Sequence, residues 1–353
     1  MPLTVLSVAY PLARISEATA GGAEQVLLTI DRELVECGHR SLVLAAAGSR
    51  CNGLLLPVQI PSGNLDQQAK LESRRQFRKA LHHALGRYSV DVIHMHGIDF
   101  DEYLPDCDLP IVVTLHLPLN WYCPEALQSR RKNISVVCVS RAQARTALSG
   151  MQIDHVIPNG VELDQFQPAR RKGNYVLSMG RICPEKGVHL AIEAARQAGE
   201  RLLMAGAVFD YPEHREYFET RVRPKLGAKA VFVGAVGGQR KAELIAGAKC
   251  LLIPSCARET SSLIAMEALA SGTPVVAWRS GALPEIVADG RTGFVVSSVE
   301  ELADAILRVE PLSSRECRVE AERRFSSDTM VSAYFGLYDE LIHHARVPEL
   351  QAA

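Results

Sequence analysis

Short apolar runs alternate with helical patterns from one end of the chain to the other, and this alternation restricts the fold more than any other feature. In the first half the β-rich runs are LTVLSVAY, SLVLAAA, DVIHMH, PIVVTLH, ISVVCVS and HVIPNG. In the second half they are YVLSMG, RLLMAG, AVFVGA, CLLIPS, PVVAW and GFVV. Most are continuously apolar, as strands buried on both faces must be, and helical segments separate many of them. The sequence therefore predicts an α/β fold with helices on both faces of parallel sheets.

The length of the chain predicts two domains. A chain of 353 residues, of which 47% are hydrophobic, holds more than one core usually contains. The polar stretch QPARRKGN interrupts the alternation, and we place the linker there, with one domain over 1–167 and a second over 168–326. Ligands of doubly wound sheets bind beyond the carboxyl ends of the strands, so we expect the site in a cleft between the domains.

Charge and cysteine content exclude several classes of protein. The formal net charge of -1 gives no general attraction to nucleic acid or to an anionic membrane. The nine cysteines include no CxxC pair, which argues against a zinc site and fits reduced thiols in a cytosol. The N-terminus, MPLTVLSVAYPLAR, has no basic segment before its short apolar run, and no run approaches the ~20 apolar residues of a membrane span. We therefore expect a cytoplasmic protein without a nucleic-acid partner.

The segment YVLSMGRICPEKG predicts an anion site in the second domain. It reads as a strand, a turn that opens at Gly180, and a helix that begins near Gly187. Arg181 and Lys186 bracket the helix N-terminus, where the helix dipole disfavours cations unless an anion joins them. Arginine can bind a phosphate with two hydrogen bonds, and lysine adds a mobile charge. The alternative is a solvated turn in which Arg181 pairs with Glu185.

Two glutamates lie eight residues apart in RETSSLIAMEALASGTPVVA. Glu267 sits within an apolar helical pattern, and its neighbours one turn away include no lysine or arginine that could neutralise it. Glu259 falls on the preceding loop, because a hydroxyl within 260–262 is a plausible helix N-cap. This placement lets both carboxylates point to one side and accept hydrogen bonds from two groups of ligand hydroxyls. The alternative is that Glu267 reaches a lysine or arginine from elsewhere in the fold.

Four blocks of the second domain carry a family resemblance. In order they are GRICPEKG, VFVGAV, ETSSLIAMEALASGTPVVA and GALPEIVADGRTGFVV. Their order and spacing resemble the donor domain of family 4 retaining glycosyltransferases, which have the GT-B fold of two Rossmann-like domains facing across a cleft. The resemblance makes 168–326 the nucleotide-sugar domain and 1–167 the acceptor domain, with a terminal helix in 327–353 that returns to the acceptor domain.

The resemblance implies a role for each residue of the predicted donor site. Glu267 would accept hydrogen bonds from the ribose, and Glu259 would contact the donor sugar. Arg181 and Lys186 would hold the diphosphate after the turn at Gly180 and stabilise it as it leaves. The remaining donor-site residues are implied by their places in the matched blocks: Val236 beside the base, and Thr260, Ser261, Ser262 and Leu263 after the first glutamate. Many family members have an aromatic-glycine pair after that glutamate, so the departure in this chain leaves the sugar undetermined.

The first domain contributes further candidates. Gly21 and Gly22 end a loop directly before a helical pattern that is similar to the family's opening glycine loop, where backbone N–H groups can approach a phosphate; a flexible loop is the alternative. His116 follows the strand PIVVTL and matches a family histidine beside the donor sugar, although a lone histidine at a strand end is more often structural. His94 and His96 share one strand face, but a metal site would need further ligands.

Two charged segments of the first domain have competing interpretations. The DFDEY motif at 99–103 mimics the metal-binding Asp-x-Asp of GT-A glycosyltransferases, but we interpret it as a solvated acidic loop. The segment 66–87 predicts a basic helix, and relatives that act on lipid-linked acceptors use such a helix to contact anionic membrane at the inner face. An ordinary solvated face is the alternative.

The sequence and the resemblance together predict a retaining glycosyltransferase that moves a sugar from a nucleoside-diphosphate donor to an acceptor hydroxyl. We expect no metal or other cofactor, since Arg181 and Lys186 would replace the cation electrostatically. Two alternatives stay open: a sugar-nucleotide epimerase of the same fold, and a non-catalytic nucleotide-sugar binding protein.

Overall fold

The computed structural model describes residues 2–16, 19, 21–61, 66–128 and 131–351, with side chains up to residue 345. The strands are β1 Thr4–Val8, β2 Arg40–Ala46, β3 Leu54–Val58, β4 Val92–Met95, β5 Ile111–Leu115, β6 Ile134–Cys138, β7 His155–Val156, β8 Val176–Met179, β9 Leu202–Ala205, β10 Ala230–Gly234, β11 Leu251–Ile253, β12 Val275–Trp278 and β13 Gly293–Val296.

The α-helices alternate with these strands. They are α1 Gly22–Glu36, α2 Gln67–Arg87, α3 Pro124–Gln128, α4 Arg141–Ala144, α5 Val188–Gln197, α6 Pro212–Tyr217, α7 Gly238–Gly247, α8 Leu263–Ala270, α9 Leu283–Ile286, α10 Val299–Arg308, α11 Ser314–Arg324 and α12 Ser327–Gln351. Short 3-10 helices lie at Phe100–Tyr103, Leu119–Trp121, Leu163–Gln165, Pro184–Lys186 and Arg223–Lys225, and a π-helix at Phe218–Val222. The long helix α2 starts at a side-chain cap, where Asp66 accepts a hydrogen bond from Ala69 N at 2.8 Å.

The first compact unit contains the chain up to Pro158 and from Met330 onward. Its seven-stranded sheet has the order β3-β2-β1-β4-β5-β6-β7, and every pair is parallel. Phe77 of α2 packs in the core on one face, and Tyr334 and Tyr338 of α12 pack in a second core cluster. The strand order reverses between β1 and β4, so the loops that follow these two strands form the topological switch point of the unit.

The second unit spans Asn159–Thr329. Its six-stranded parallel sheet has the order β10-β9-β8-β11-β12-β13 and reverses between β8 and β11. Ile192 of α5 and Leu302 and Ile306 of α10 belong to its core cluster. Each unit is therefore a doubly wound, Rossmann-like domain with its own switch point.

The predicted strands and the observed ones differ at one place. Each of the twelve apolar runs contains a strand, but β3 was not predicted because Pro57 lies within it. Proline cannot donate to a sheet ladder and is tolerated on edge strands, and β3 is the edge of its sheet. The second unit begins at Asn159, whereas the sequence places the linker near residue 168. Among the helices of the described chain, none has both the length and the apolar character that a membrane crossing demands.

Candidate active site

The switch point of the second unit carries the predicted cations. The chain leaves β8 at Met179, turns at Gly180, and forms the 3-10 helix Pro184–Lys186 directly before α5. Gly187 joins the two helices with a left-handed φ of 63°, and a Cβ on it would lie 2.1 Å from the carbonyl oxygen of Pro254. Only glycine allows this approach, which packs the loop after β8 against the end of β11.

The loop that follows β11 brings Glu259 to Lys186. Cys256 N donates to the carbonyl oxygen of Glu185 at 2.8 Å, so the two loops share a backbone hydrogen bond. Lys186 Nζ donates to Glu259 Oε1 at 2.6 Å, and Ser255 Oγ donates to the same oxygen at 2.5 Å. Two residues that are seventy-three positions apart in sequence thus form one ion pair at the carboxyl edge of the sheet.

Gly281 fixes the backbone of Glu259 from the other side. Its φ is 54°, and a Cβ there would lie 2.0 Å from the Glu259 carbonyl oxygen. Ala282 N donates to that same oxygen at 2.8 Å. The loop that carries Glu259 is therefore held in place by its backbone, and the carboxylate is positioned before any ligand arrives.

Arg181 has a different environment from Lys186. Its side chain is exposed, and its guanidinium lies over the Phe209 ring with Cζ 5.8 Å from the centroid. Within the described part of the chain it forms no ion pair, so the alternative pairing of Arg181 with Glu185 is wrong. Its positive charge is available to an anion at the start of α5.

Glu267 finds a cation on a neighbouring helix. It lies in α8, is 4% exposed, and accepts from Lys241 Nζ of α7 at 2.5 Å through Oε1. The prediction that its partner is the ligand alone is therefore wrong for this oxygen, because the fold supplies a lysine from outside α8. Glu267 Oε2 is buried and has no hydrogen-bond partner among the described residues.

The start of α8 departs from the expected capping. Ser262 occupies the N-cap position, but its side chain makes no capping hydrogen bond. Ser261 Oγ is buried without a hydrogen-bond partner in the described chain. Thr260 and Leu263 flank these two serines, and Val236 lies half-buried in the loop after β10. The segment from Glu259 to Glu267 thus contains two buried polar atoms, Ser261 Oγ and Glu267 Oε2, that the described protein atoms do not satisfy.

The first unit holds the remaining predicted site residues. Gly21 is the N-cap of α1, which begins at Gly22, as the glycine-loop prediction requires. His116 follows β5 and is 9% exposed, and its Nε2 lies 3.1 Å from His96 Nδ1 with the two rings stacked. Contact of His116 with a donor sugar stays a prediction from the resemblance.

His94 serves the packing of the first unit. One ring nitrogen lies 2.7 Å from the Tyr338 hydroxyl of α12, and the other lies 2.7 Å from Thr114 Oγ1. Burial lowers the pKa of His94 to about 3 and that of His116 to about 3, and it lowers the pKa of His96 well below its usual value. All three imidazoles are therefore neutral at physiological pH.

The acidic motif of the first unit is paired and not solvated. Asp99 is 8% exposed and accepts from Arg74 Nε of α2 at 2.7 Å. Arg74 also bonds Glu102 Oε1 at 3.1 Å, and Tyr103 OH donates to Asp99 at 3.3 Å. The prediction of a solvated loop is thus wrong for Asp99, because the basic helix neutralises it. That the motif binds no metal stays a prediction.

Sequence reasoning missed Lys241, although a signal for it exists. Leu244 and Ile245 are buried in α7, and a residue three or four positions before them lies on the same helix face. A lysine on a buried face needs an acid nearby, and Glu267 was the acid without a cation. An unpaired lysine on a buried helix face and an unpaired buried glutamate could therefore have been assigned to each other from the sequence. Ser255 carried no such signal.

Two family models match the chain in succession. Residues 20–165 match the model of glycosyltransferase family 4, and residues 173–310 match the model of group 1 glycosyl transferases. The chain belongs to the family 4 glycosyltransferases. A phosphatidyl-myo-inositol mannosyltransferase of Mycobacterium leprae is 28% identical to it over 304 residues, which cover 76% of this chain and 79% of the relative.

Solved structures give the same assignment for the fold of this glycosyltransferase. AviGT4, a glycosyltransferase involved in avilamycin A biosynthesis, is 28% identical with a TM-score of 0.72 and covers 97% of this chain and 98% of its own. Anabaena HepE in complex with UDP-glucose is 18% identical with a TM-score of 0.73, over 96% of this chain and 100% of its own. The fold is GT-B, and the comparisons favour glycosyl transfer over the epimerase and binding-protein alternatives.

Proposed function

We propose that this glycosyltransferase moves a sugar from a nucleoside-diphosphate sugar to an acceptor hydroxyl, with retention at the anomeric carbon. A mannosyltransferase among its relatives and the UDP-glucose bound to HepE support a hexose donor on a nucleoside diphosphate. The donor site we propose is the switch point of the second unit, with Arg181, Lys186, Glu259 and Glu267 as its charged groups.

The main support for this proposal is that two buried polar atoms in the Glu259–Glu267 segment, Ser261 Oγ and Glu267 Oε2, have no hydrogen-bond partner among the described residues. A buried acceptor without a partner costs about 1–3 kcal/mol, and a charged one costs more. Glu267 Oε2 accepts nothing from the described protein atoms, while Lys241 holds the other oxygen. The ribose hydroxyls of a nucleotide supply donors of the required kind, and the hydrogen bond from Lys241 to Oε1 holds the carboxylate in position for them.

Arg181 and Lys186 have the charge needed to bind the leaving diphosphate. Arg181 is exposed without an ion pair in the described chain, and Lys186 is bonded to Glu259 from a side chain that is 32% exposed. A diphosphate at the start of α5 would meet the positive end of the helix dipole and both cations. As the glycosidic bond breaks, negative charge grows on the diphosphate, and these fixed groups stabilise it in place of a metal ion.

Positioning and electrostatics then account for the chemistry. Glu259 shares its Oε1 with Lys186 and Ser255, and its other oxygen would accept from a sugar hydroxyl. Retention follows from attack on the same face that the diphosphate leaves, through an oxocarbenium-like centre, with the departing phosphate taking the acceptor proton. No protein nucleophile is required.

A donor panel followed by product analysis tests the proposal. Thermal shifts with UDP-, GDP- and ADP-sugars select the donor, and NMR of the product formed with a generic glycoside acceptor reads the anomeric configuration. We expect a shift without added cation and a product that keeps the donor configuration. An inverted product would overturn retention, and a shift that requires Mg²⁺ or Mn²⁺ would point to the acidic motif at Asp99.

We include in the proposal a contact of α2 with anionic membrane. Arg74 and Arg78 of this helix bond residues of the acidic motif, but other basic side chains face solvent beside Leu71, which is 59% exposed. These exposed basic residues are Lys70, Arg75, Lys79 and Arg87. An exposed basic face with an apolar residue is the composition that binds lipid headgroups.

Vesicle co-sedimentation tests this contact. Anionic phosphatidylglycerol vesicles should bind the protein, and pure phosphatidylcholine vesicles should not. Reversal of charge in Lys70→Glu with Lys79→Glu should abolish binding and leave turnover on a water-soluble acceptor unchanged. Equal sedimentation with both kinds of vesicle would contradict the contact.

A further inference from the structure

Three reactive side chains on and beside the loop after β8 have no role in the proposed donor site. Cys183 Sγ, a carboxylate oxygen of Glu185 and a ring nitrogen of His214 lie within 4.8 Å of one another. Thiolate, carboxylate and imidazole are the three side-chain groups that bind zinc in proteins.

The fold brings these residues together from two segments. Cys183 is the N-cap of the 3-10 helix after β8, and Glu185 lies within that helix. The carbonyl of Glu185 is fixed by the hydrogen bond from Cys256 N at 2.8 Å. His214 comes from α6, which follows β9. Since β8 and β9 are neighbours in the sheet, the segments after their carboxyl ends lie side by side.

His214 gives independent support for a ligand. The side chain is 8% exposed, and its Nδ1 is buried without a hydrogen-bond partner among the described residues. Tyr211 and Phe209 flank the ring, with centroids 5.1 Å and 6.2 Å away. Nδ1 makes no conventional hydrogen bond among the described residues, and buried imidazole nitrogens are normally satisfied. Coordination of a cation through Nδ1 would satisfy it.

We propose that Cys183, Glu185 and His214 form a binding site for a divalent cation of the zinc class. Thiolate and carboxylate together balance the charge of Zn²⁺, and a neutral imidazole is the third ligand; binding releases the thiol proton of Cys183 to solvent. Zinc bonds of about 2.0–2.3 Å place tetrahedral ligand atoms roughly 3.5 Å apart, so small side-chain rotations complete the site. Water takes the fourth position. The lack of CxxC pairs is no obstacle, because the ligands come from separate segments.

The site has a structural consequence for the loop that carries Arg181 and Lys186. Cys183 lies between these two residues in sequence, so a cation bound there ties the loop to α6. Zinc would therefore stabilise the second unit without entering the glycosyl-transfer step. This role goes beyond the proposed function and holds whatever the donor is.

Titration of the full chain with metal tests the proposal. After removal of metal with a chelator, Co²⁺ should produce a thiolate-to-cobalt charge-transfer band in the near ultraviolet, and calorimetry should show one Zn²⁺ bound per chain. Cys183→Ser should remove the band, and Cys183→Ser, Glu185→Gln and His214→Gln should each weaken Zn²⁺ binding by about tenfold or more. Cys37→Ser and Cys256→Ser are matched controls that should keep both the band and the affinity.

The thermal midpoint supplies a second readout. Zn²⁺ should raise the midpoint of the wild-type protein and of both control variants, and it should not raise that of His214→Gln. Circular dichroism without metal shows whether each variant folds, and any one folded ligand variant suffices for the comparison. Zn²⁺ affinity that is unchanged in the folded ligand variants would place the cation elsewhere, for example at His82 and His83, and would overturn the proposal. Absence of the cobalt band in the wild-type protein would overturn it as well.

Discussion

The two switch points of this glycosyltransferase share a topology and differ in their chemistry. In the second unit, the loops after β8 and β11 hold Arg181, Lys186 and Glu259, which are charged and in part exposed. In the first unit, β4, β5 and the residues after them hold His94, His96 and His116, which are buried and neutral. A parallel sheet that reverses its strand order creates a crevice, but the side chains decide whether that crevice binds an anion.

The contrast is sharpest between His94 and the two charged residues of the second unit. His94 lies inside β4, where both ring nitrogens contact protein hydroxyls, and burial leaves the ring without charge. Lys186 and Glu259 lie beyond their strands, on loops that glycine backbones bring together. His94, inside its strand, is used for packing α12, whereas Lys186 and Glu259, beyond their strands, form a part-exposed ion pair that a ligand can reach.

The largest expected effect comes from Lys186. Lys186→Ala removes a cation from the leaving diphosphate, and we expect turnover to fall by about 10²-fold, the scale of one lost transition-state contact. Lys249→Ala is the matched control, because Lys249 pairs with Glu200 at 2.8 Å and precedes β11 at the opposite end of the strand. Steady-state kinetics should show near-wild-type turnover for the control. Equal turnover in both variants would show that Lys186 does not stabilise the leaving diphosphate.

A smaller effect is expected from Glu267. Glu267→Gln keeps the shape of the side chain and removes the charge that Lys241 and the ribose share, so nucleoside-diphosphate affinity should fall roughly tenfold. Glu243→Gln, an exposed residue on α7, should leave the affinity unchanged. Isothermal titration calorimetry measures both. An unchanged affinity in Glu267→Gln would mean that the buried Oε2 is satisfied in another way and that the ribose assignment is wrong.

The stability of the first unit should depend on pH through its buried histidines, whereas nucleotide binding at the donor site should not depend on them. The folded pKa of His94, about 3, lies below the usual value of 6.5, so the unfolded chain takes up a proton first as pH falls. The stabilising contribution is complete above pH 6.5 and is lost as pH falls toward 3, by roughly 1.4 kcal/mol per pH unit for each such histidine.

The variant His94→Gln should therefore show a weaker dependence of its urea midpoint on pH below about 6.5. His82→Gln, on the exposed face of α2, should keep the wild-type dependence. Nucleotide affinity of His94→Gln should match that of the wild-type protein. A pH dependence that is identical in both variants would show that folding does not lower the pKa of His94.

The sequence predicted the sheets well, because continuous apolar runs are required of buried parallel strands. It failed at β3, where Pro57 suits an edge position that periodicity does not reveal. It placed Glu259 on a loop and Glu267 on a helix, but the ion pairs with Lys186 and Lys241 depend on the packing of loops and helices that are distant in sequence. The sequence also could not show whether a capping hydrogen bond forms. Ser262 occupies the N-cap position of α8, but its side chain does not bond the helix.

We propose that the loop after β8 binds the diphosphate of a sugar nucleotide, and Arg181 is the residue to vary because its guanidinium forms no ion pair among the described residues. Calorimetry should compare wild-type protein and Arg181→Ala for the nucleoside diphosphate that the donor panel selects and for the free nucleoside. We expect the diphosphate affinity to fall roughly tenfold in the variant and the nucleoside affinity to stay unchanged. Equal diphosphate affinity in the two proteins, or an equal loss for both ligands, would contradict it.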